Sequence, residues 1–122
     1  MQRPLAQYSP HNAAVLTKAF LRAGQYLDLS HAALARIIRT SEASMSRIAG
    51  GKHINREQSE CALMLLRIFR SLDSLFGGNT QQCRLWLASH NYHLSGKPVE
   101  LIQSIRGLVN VSDYLDAMRG HG

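Results

Sequence analysis

An all-α fold is what this sequence predicts. Apolar residues recur every three or four positions along most of the chain, and no run alternates as a half-buried strand would. Ser, Asn, Pro and Gly also fall where helices start and stop. The 122 residues have room for one compact domain or two small ones sharing a core. An apolar fraction of 45% is ordinary for a folded chain.

The elements follow in order. Ser9-Pro10 places a capping residue before proline at the first helical position. Leu16, Ala19, Phe20, Ala23 and Leu27 then repeat at helical spacing, with Gly24 weakening the end. Ser30 caps a second helix with Leu34, Ala35 and Ile38 on one face. Thr40-Ser41 opens a third, with Met45 and Ile48 inward, and Gly50-Gly51 stops it. Asn55 and Gln58 form a capping box before the longest helix, which runs to about Phe76. Its apolar set, from Ala62 through Leu65, Leu66, Ile68, Phe69, Leu72 and Leu75 to Phe76, is too broad for one buried stripe. Such a helix packs on both halves of the molecule or on a second copy.

Gly77-Gly78-Asn79 is the expected boundary, dividing the chain into residues 1–78 and 79–122. Thr80 to His90 then reads as a helix carrying Leu85, Trp86 and Leu87, and NYHLSG as a loop. Pro98 starts a short helix with Leu101, Ile102 and Ile105, ended by Gly107. Asn110 or Ser112 caps a last helix with Tyr114, Leu115 and Met118.

Composition narrows the function. No apolar run approaches the ~20 residues a membrane span requires, and MQRPLAQYSPH lacks the apolar core of a signal peptide. A cytosolic protein with no membrane partner is expected. Cys61 and Cys83 show no CxxC spacing and read as buried thiols rather than a disulfide or metal site. His90 and His93 lie in a loop with no acid or thiol nearby to complete a site, and the eight acids are scattered. Neither a metal, a cofactor nor enzymatic activity is therefore expected. The net charge is +6, and it is uneven. Arg36, Arg39, Arg47, Lys52 and Arg56 are opposed in their stretch by Glu42 alone. Such a patch attracts polyanions, chiefly nucleic acid.

The third helix sharpens that expectation. A core helix has no need of Ser41, Ser44, Ser46 and Arg47 together. With Met45 and Ile48 facing in, Glu42, Ala43, Ser46 and Arg47 face out, mostly short enough for close approach to a major-groove floor. Serine hydroxyls bond phosphates or base edges, arginine binds guanine in bidentate fashion, and a carboxylate accepts from a cytosine amino group. Lys52 and Arg56, beyond the helix, are placed to touch the phosphate backbone. A purely structural helical hairpin is the alternative.

LSHAALARIIRTSEASMSRIAGGK, the 24 residues from Leu29 to Lys52, resembles the Xre (lambda-repressor-like) helix-turn-helix family in its Leu-Ser start, Leu-Ala pair, turn, serine-rich recognition helix and Gly-Lys close. That family usually has glycine at the turn, where this chain has Arg39. A non-glycine residue at positive φ costs roughly 1 kcal/mol, so a wider turn is expected. The 37 residues from Trp86, WLASHNYHLSGKPVELIQSIRGLVNVSDYLDAMRGHG, closely resemble the toxin-binding domain of Xre/MbcA/ParS-type antitoxins. The resemblance rests on Trp86-Leu87, Asn91, Leu94, Gly96, Pro98, Leu101-Ile102, Gly107, Val111, Tyr114-Leu115 and the glycine-ended tail. His90 stands where the family often has proline, a difference confined to the loop.

The resemblance implies an N-terminal helix-turn-helix bundle joined to a small helical toxin-binding domain. Such antitoxins are encoded with a RES-domain toxin that attacks NAD, and they block its active-site cleft with their C-terminal end. They also repress their own promoter and usually dimerise. Carried over, the toxin-facing residues would be Met118, Arg119, Gly120, His121 and Gly122, with Tyr114 in support. A stand-alone helix-turn-helix repressor without a toxin partner is the alternative.

Overall fold

The computed structural model describes residues 10–120. Seven helices follow one another: α1 (Pro10–Tyr26), α2 (His31–Ile37), α3 (Glu42–Ala49), α4 (Arg56–Leu75), α5 (Thr80–Ala88), α6 (Pro98–Leu101) and α7 (Ile105–Met118). Among the described residues no strand forms, although Asn91 and Gly96 pair as an isolated antiparallel bridge.

Side-chain caps start α2, α3, α4, α5 and α7, whereas α6 opens on Pro98 with no side-chain cap bond. The side chains of Ser30, Ser41, Asn55, Asn79 and Ser104 each accept a hydrogen bond from the backbone N–H three residues on. At Asn55 the bond is reciprocated, because the Gln58 side chain accepts from the Asn55 N–H at 3.0 Å. Pro10 opens α1 as expected, while the cap assigned to Ser9 lies outside the described residues.

The helix ends are closed by a repeated device. After α1, α2, α3 and α4, one residue turns to positive φ and the next N–H reaches back five residues, as in a Schellman close. Gly51 and Gly77 fill that position after α3 and α4, but Asp28 (φ 59°) and Arg39 (φ 62°) fill it after α1 and α2. The expected widening at Arg39 does not occur. Thr40 N–H donates to the Ala35 carbonyl at 2.8 Å and Arg39 N–H to the Arg36 carbonyl at 3.1 Å, so the turn stays tight and Arg39 takes the left-handed conformation.

Helix α4 organises the core. Ala62, Leu65, Ile68 and Leu72 are fully buried, and the helix packs against α1 on one side and α7 on the other. The broad apolar set is thus used to join the two halves of the chain, with Leu63 left 53% exposed. One buried cluster runs from Phe20 and Leu34 through Met45, Ile48 and Leu65 to Leu87, Leu108 and Leu115.

Gly107 corrects the sequence reading. It does not end the short helix; it lies in the first turns of α7, which Ser104 caps and which continues through Asn110 and Ser112. A Cβ at Gly107 would lie 1.8 Å from the Leu101 carbonyl oxygen, so glycine is there to let α7 approach the end of α6.

Candidate functional site

Helix α3 presents two contrasting sides. Met45 and Ile48 are buried at 0% and 1% exposure, while Glu42, Ala43, Ser46 and Arg47 are exposed, as the spacing predicts. Ser44, one of the serines that set this helix apart in the sequence, lies on the inward side. It is 9% exposed, and its N–H is taken by the Ser41 hydroxyl at 3.0 Å. Ser41 is therefore the N-cap of α3, exposed but with its hydroxyl oxygen already engaged.

The segment after α3 carries Lys52 and Arg56, both exposed, and its course is fixed from beneath. Thr17, buried in α1, donates its hydroxyl to the Ala13 carbonyl at 2.7 Å and accepts from the Ile54 N–H at 2.9 Å. Ile54 itself is fully buried. Lys52 N–H closes the end of α3 on the Arg47 carbonyl at 2.9 Å. Thr17 thus positions the basic segment, a role the sequence marks only as one hydroxyl on an apolar stripe.

The remaining cations of the cluster are less uniform. Arg36 donates to the Gln103 side chain at 3.3 Å, tying α2 to the α6–α7 connection. Arg39 lies near Cys61 of α4, where burial pushes the thiol up and the guanidinium pulls the other way. Burial also raises the Cys83 thiol, with Asp73 adding to the effect. Both cysteines are unpaired, and protonated thiols of this kind are poor nucleophiles.

The second surface is built from three elements of the C-terminal half. Tyr114 of α7 stacks on Trp86 of α5, with centroids 6.3 Å apart, and on His93 of the intervening loop at 5.8 Å. The loop is held by the Asn91–Gly96 bridge and by the Leu94 N–H, which donates to the Asn91 side chain at 3.0 Å. Beside the stack, Tyr92 is 89% exposed and meets His90 edge-on at 5.0 Å. Trp86 is half-buried, packing against the core with one side and Tyr114 with the other. Among the described residues, no group of three His, Cys, Asp or Glu is placed to hold a metal ion.

At the far end of α7, Met118 is 49% exposed. Arg119 caps the helix and donates to the hydroxyl of buried Ser71 at 3.2 Å, while Gly120 turns at φ 73°. One turn earlier Asp116 pairs with Arg67 of α4. His121 and Gly122 lie outside the described residues. The expected tail residues therefore start from a helix end secured to α4, about the length of α7 away from its Ser104 cap.

Two family models match the chain. Residues 6–67 match the antitoxin Xre-like helix-turn-helix domain, and residues 71–120 match the antitoxin Xre/MbcA/ParS C-terminal toxin-binding domain. A search of curated proteins returned no match. The first model covers α1 to the middle of α4, including exposed α3 and the basic segment after it, and the second covers the aromatic surface and the end of α7. No helix among the described residues is long and apolar enough to cross a membrane. With both domains matched in one chain and the two halves joined through α4, this chain belongs to the Xre-like antitoxins.

Proposed function

We propose that this antitoxin works as a type II antitoxin in the cytosol, neutralising a RES-domain toxin that degrades NAD and repressing its own operon. The single observation that carries the reading is the joining of both matched domains in one chain, each with an exposed surface suited to its partner. The operator would be met by Ser41, Glu42, Ala43, Ser46 and Arg47, with Lys52 and Arg56 on the phosphate backbone. Arg47 supports the reading as the one long, exposed cation on α3. Ser41 contributes chiefly as a cap, presenting the start of the helix.

The toxin's active site would be blocked by Met118, Arg119, Gly120, His121 and Gly122. Tyr114, braced between Trp86 and His93, sets the direction of approach. Arg119 has to be shared with Ser71 or released from it on docking. The protein is proposed to act by binding alone, without catalysis or cofactor. A homodimer is the proposed assembly, supported by the exposed Leu63 on α4. It would set two recognition helices ~34 Å apart along the duplex, and light scattering at micromolar concentration is expected to return a dimer mass.

Co-expression tests the whole reading. The full chain is expected to restore growth and cellular NAD in cells producing the RES toxin from the adjoining reading frame. A chain stopped after Ala117 is expected to fold and bind operator DNA while failing to restore NAD. Full rescue by the shortened chain would show that the tail is not the blocking element.

A further inference from the structure

Beside the recognition helix lies a cleft that none of the assigned DNA contacts uses. Lys18, Arg22 and Gln25 of α1 form one wall, His31 at the start of α2 another, and Ala49 of α3 the edge, with buried Leu29 as floor. Lys18 and Arg22 are one helical turn apart, both exposed, and no carboxylate lines the cleft. Among the described residues no acid pairs with either cation. At about 260 Å³ it falls below the ~300–1,000 Å³ typical of small-molecule sites, a size better suited to one compact anion.

Its place in the fold indicates which anion. Ala49 follows Ser46 by three residues, so the two share the exposed side of α3 that borders the cleft. A helix ~10–12 Å across nearly fills a major groove ~12 Å wide, bringing phosphates of both strands against whatever flanks it. Lys52 and Arg56 follow the C-terminal end of α3; the cleft flanks it from α1 and α2. The carbonyls at that end of α3 do not repel an anion strongly, since those of Ser46, Arg47 and Ile48 already accept N–H groups from Gly50, Gly51 and Lys52.

We infer that this cleft seats a backbone phosphate of the bound duplex, held by Lys18 and Arg22 with His31 beside it. The site rests on the proposed DNA-binding role and adds to it a contact from outside the helix-turn-helix. It anchors the duplex without reading sequence.

The test is fluorescence anisotropy across a salt series, with a promoter duplex and a scrambled duplex of equal length. The K18Q/R22Q double variant is expected to lose about tenfold in affinity for both duplexes. Its plot of log affinity against log salt should be shallower by about one, the loss of one phosphate contact. K18R/R22K, which keeps both charges, should retain most of the affinity, and R70Q, on the exposed side of α4, should retain the slope. Inorganic phosphate at matched ionic strength should displace the duplex from the wild type somewhat better than chloride and lose that advantage in K18Q/R22Q. Tight phosphate binding to the DNA-free protein that K18Q/R22Q abolishes while duplex affinity stays at the wild-type level would indicate a free-phosphate site and overturn the assignment. Wild-type affinity and slope in K18Q/R22Q would overturn it too. A wild-type protein that binds neither duplex would bring down the DNA-binding reading itself, a result distinct from both.

Discussion

The proposed recognition helix and the proposed toxin-facing end of α7 are held in different ways. Helix α3 has only eight residues, yet it is capped at both ends, keeled by Met45 and Ile48, and followed by a segment pinned through Thr17 and Ile54. Beyond fully buried Leu115, the end of α7 is exposed at Ala117, Met118 and Arg119, and polar contacts to α4 at Ser71 and Arg67 hold it there. A duplex groove has nearly constant dimensions, so a helix fixed in advance loses little freedom when it docks. A toxin cleft has its own shape, and side chains held by one hydrogen bond or one exposed ion pair are cheap to rearrange. On the proposed function, the same fold carries one interface set by packing and one whose outermost contacts exchange readily.

The comparison breaks most completely at Gly107. In G107A the new methyl group collides with the Leu101 carbonyl, so α6 and α7 must separate. Destabilisation of about 3 kcal/mol is expected. Thermal unfolding followed by circular dichroism should show a midpoint roughly 10 °C lower, with toxin neutralisation weakened in step.

The next effect isolates the rigid side. Arg47→Ala should weaken promoter binding by about 1–3 kcal/mol if the guanidinium reads a base, while leaving toxin binding unchanged. Lys52→Ala should weaken binding to all duplexes alike and reduce the salt slope by about one. Titration of each variant with promoter and scrambled DNA separates the two roles, and unchanged affinity in both would remove α3 as the recognition helix.

Thr17→Val asks whether the rigidity itself matters. It removes the hydroxyl that accepts from the buried Ile54 N–H, a loss of about 1–3 kcal/mol. Promoter affinity should fall by more than the melting curve alone accounts for, because Lys52 and Arg56 are no longer held in register. Equal affinity at temperatures where the variant stays folded would count against a positioning role.

How far these features were legible depended on how locally they are determined. The inward and outward sides of α3, the capping box at Asn55 and the extent of α4 follow from helical spacing and nearby side chains, and they stand as read. Gly107 was misplaced because glycine marks both a helix end and a close helix contact, and only the position of Leu101 in space distinguishes them. The hydrogen bond from Ile54 to Thr17 spans 37 residues, and the His93–Tyr114–Trp86 stack draws on two helices and a loop. No periodicity within one segment encodes either.

The smallest expected effect is a gain. Arg39→Gly relieves the left-handed strain at the close of α2 and should stabilise the fold by about 0.5–1 kcal/mol. Urea denaturation is sensitive enough to detect it, and a loss of stability would show that the Arg39 side chain offsets its strain through contacts near Cys61.

One side chain of α5 ties the fate of both interfaces together. Arg84 donates to the Tyr26 carbonyl at 2.9 Å and to the Gln25 carbonyl at 3.1 Å, so the toxin-binding half supplies the clasp that finishes the first helix of the DNA-binding half. With α4 at the centre of one buried cluster shared by both halves, opening either half uncovers the other. On the proposed function, a protease that catches one open molecule would remove a repressor and a toxin inhibitor in the same event. Transcription of the operon and release of its toxin would then share one clock, set by the unfolding rate of a single small protein.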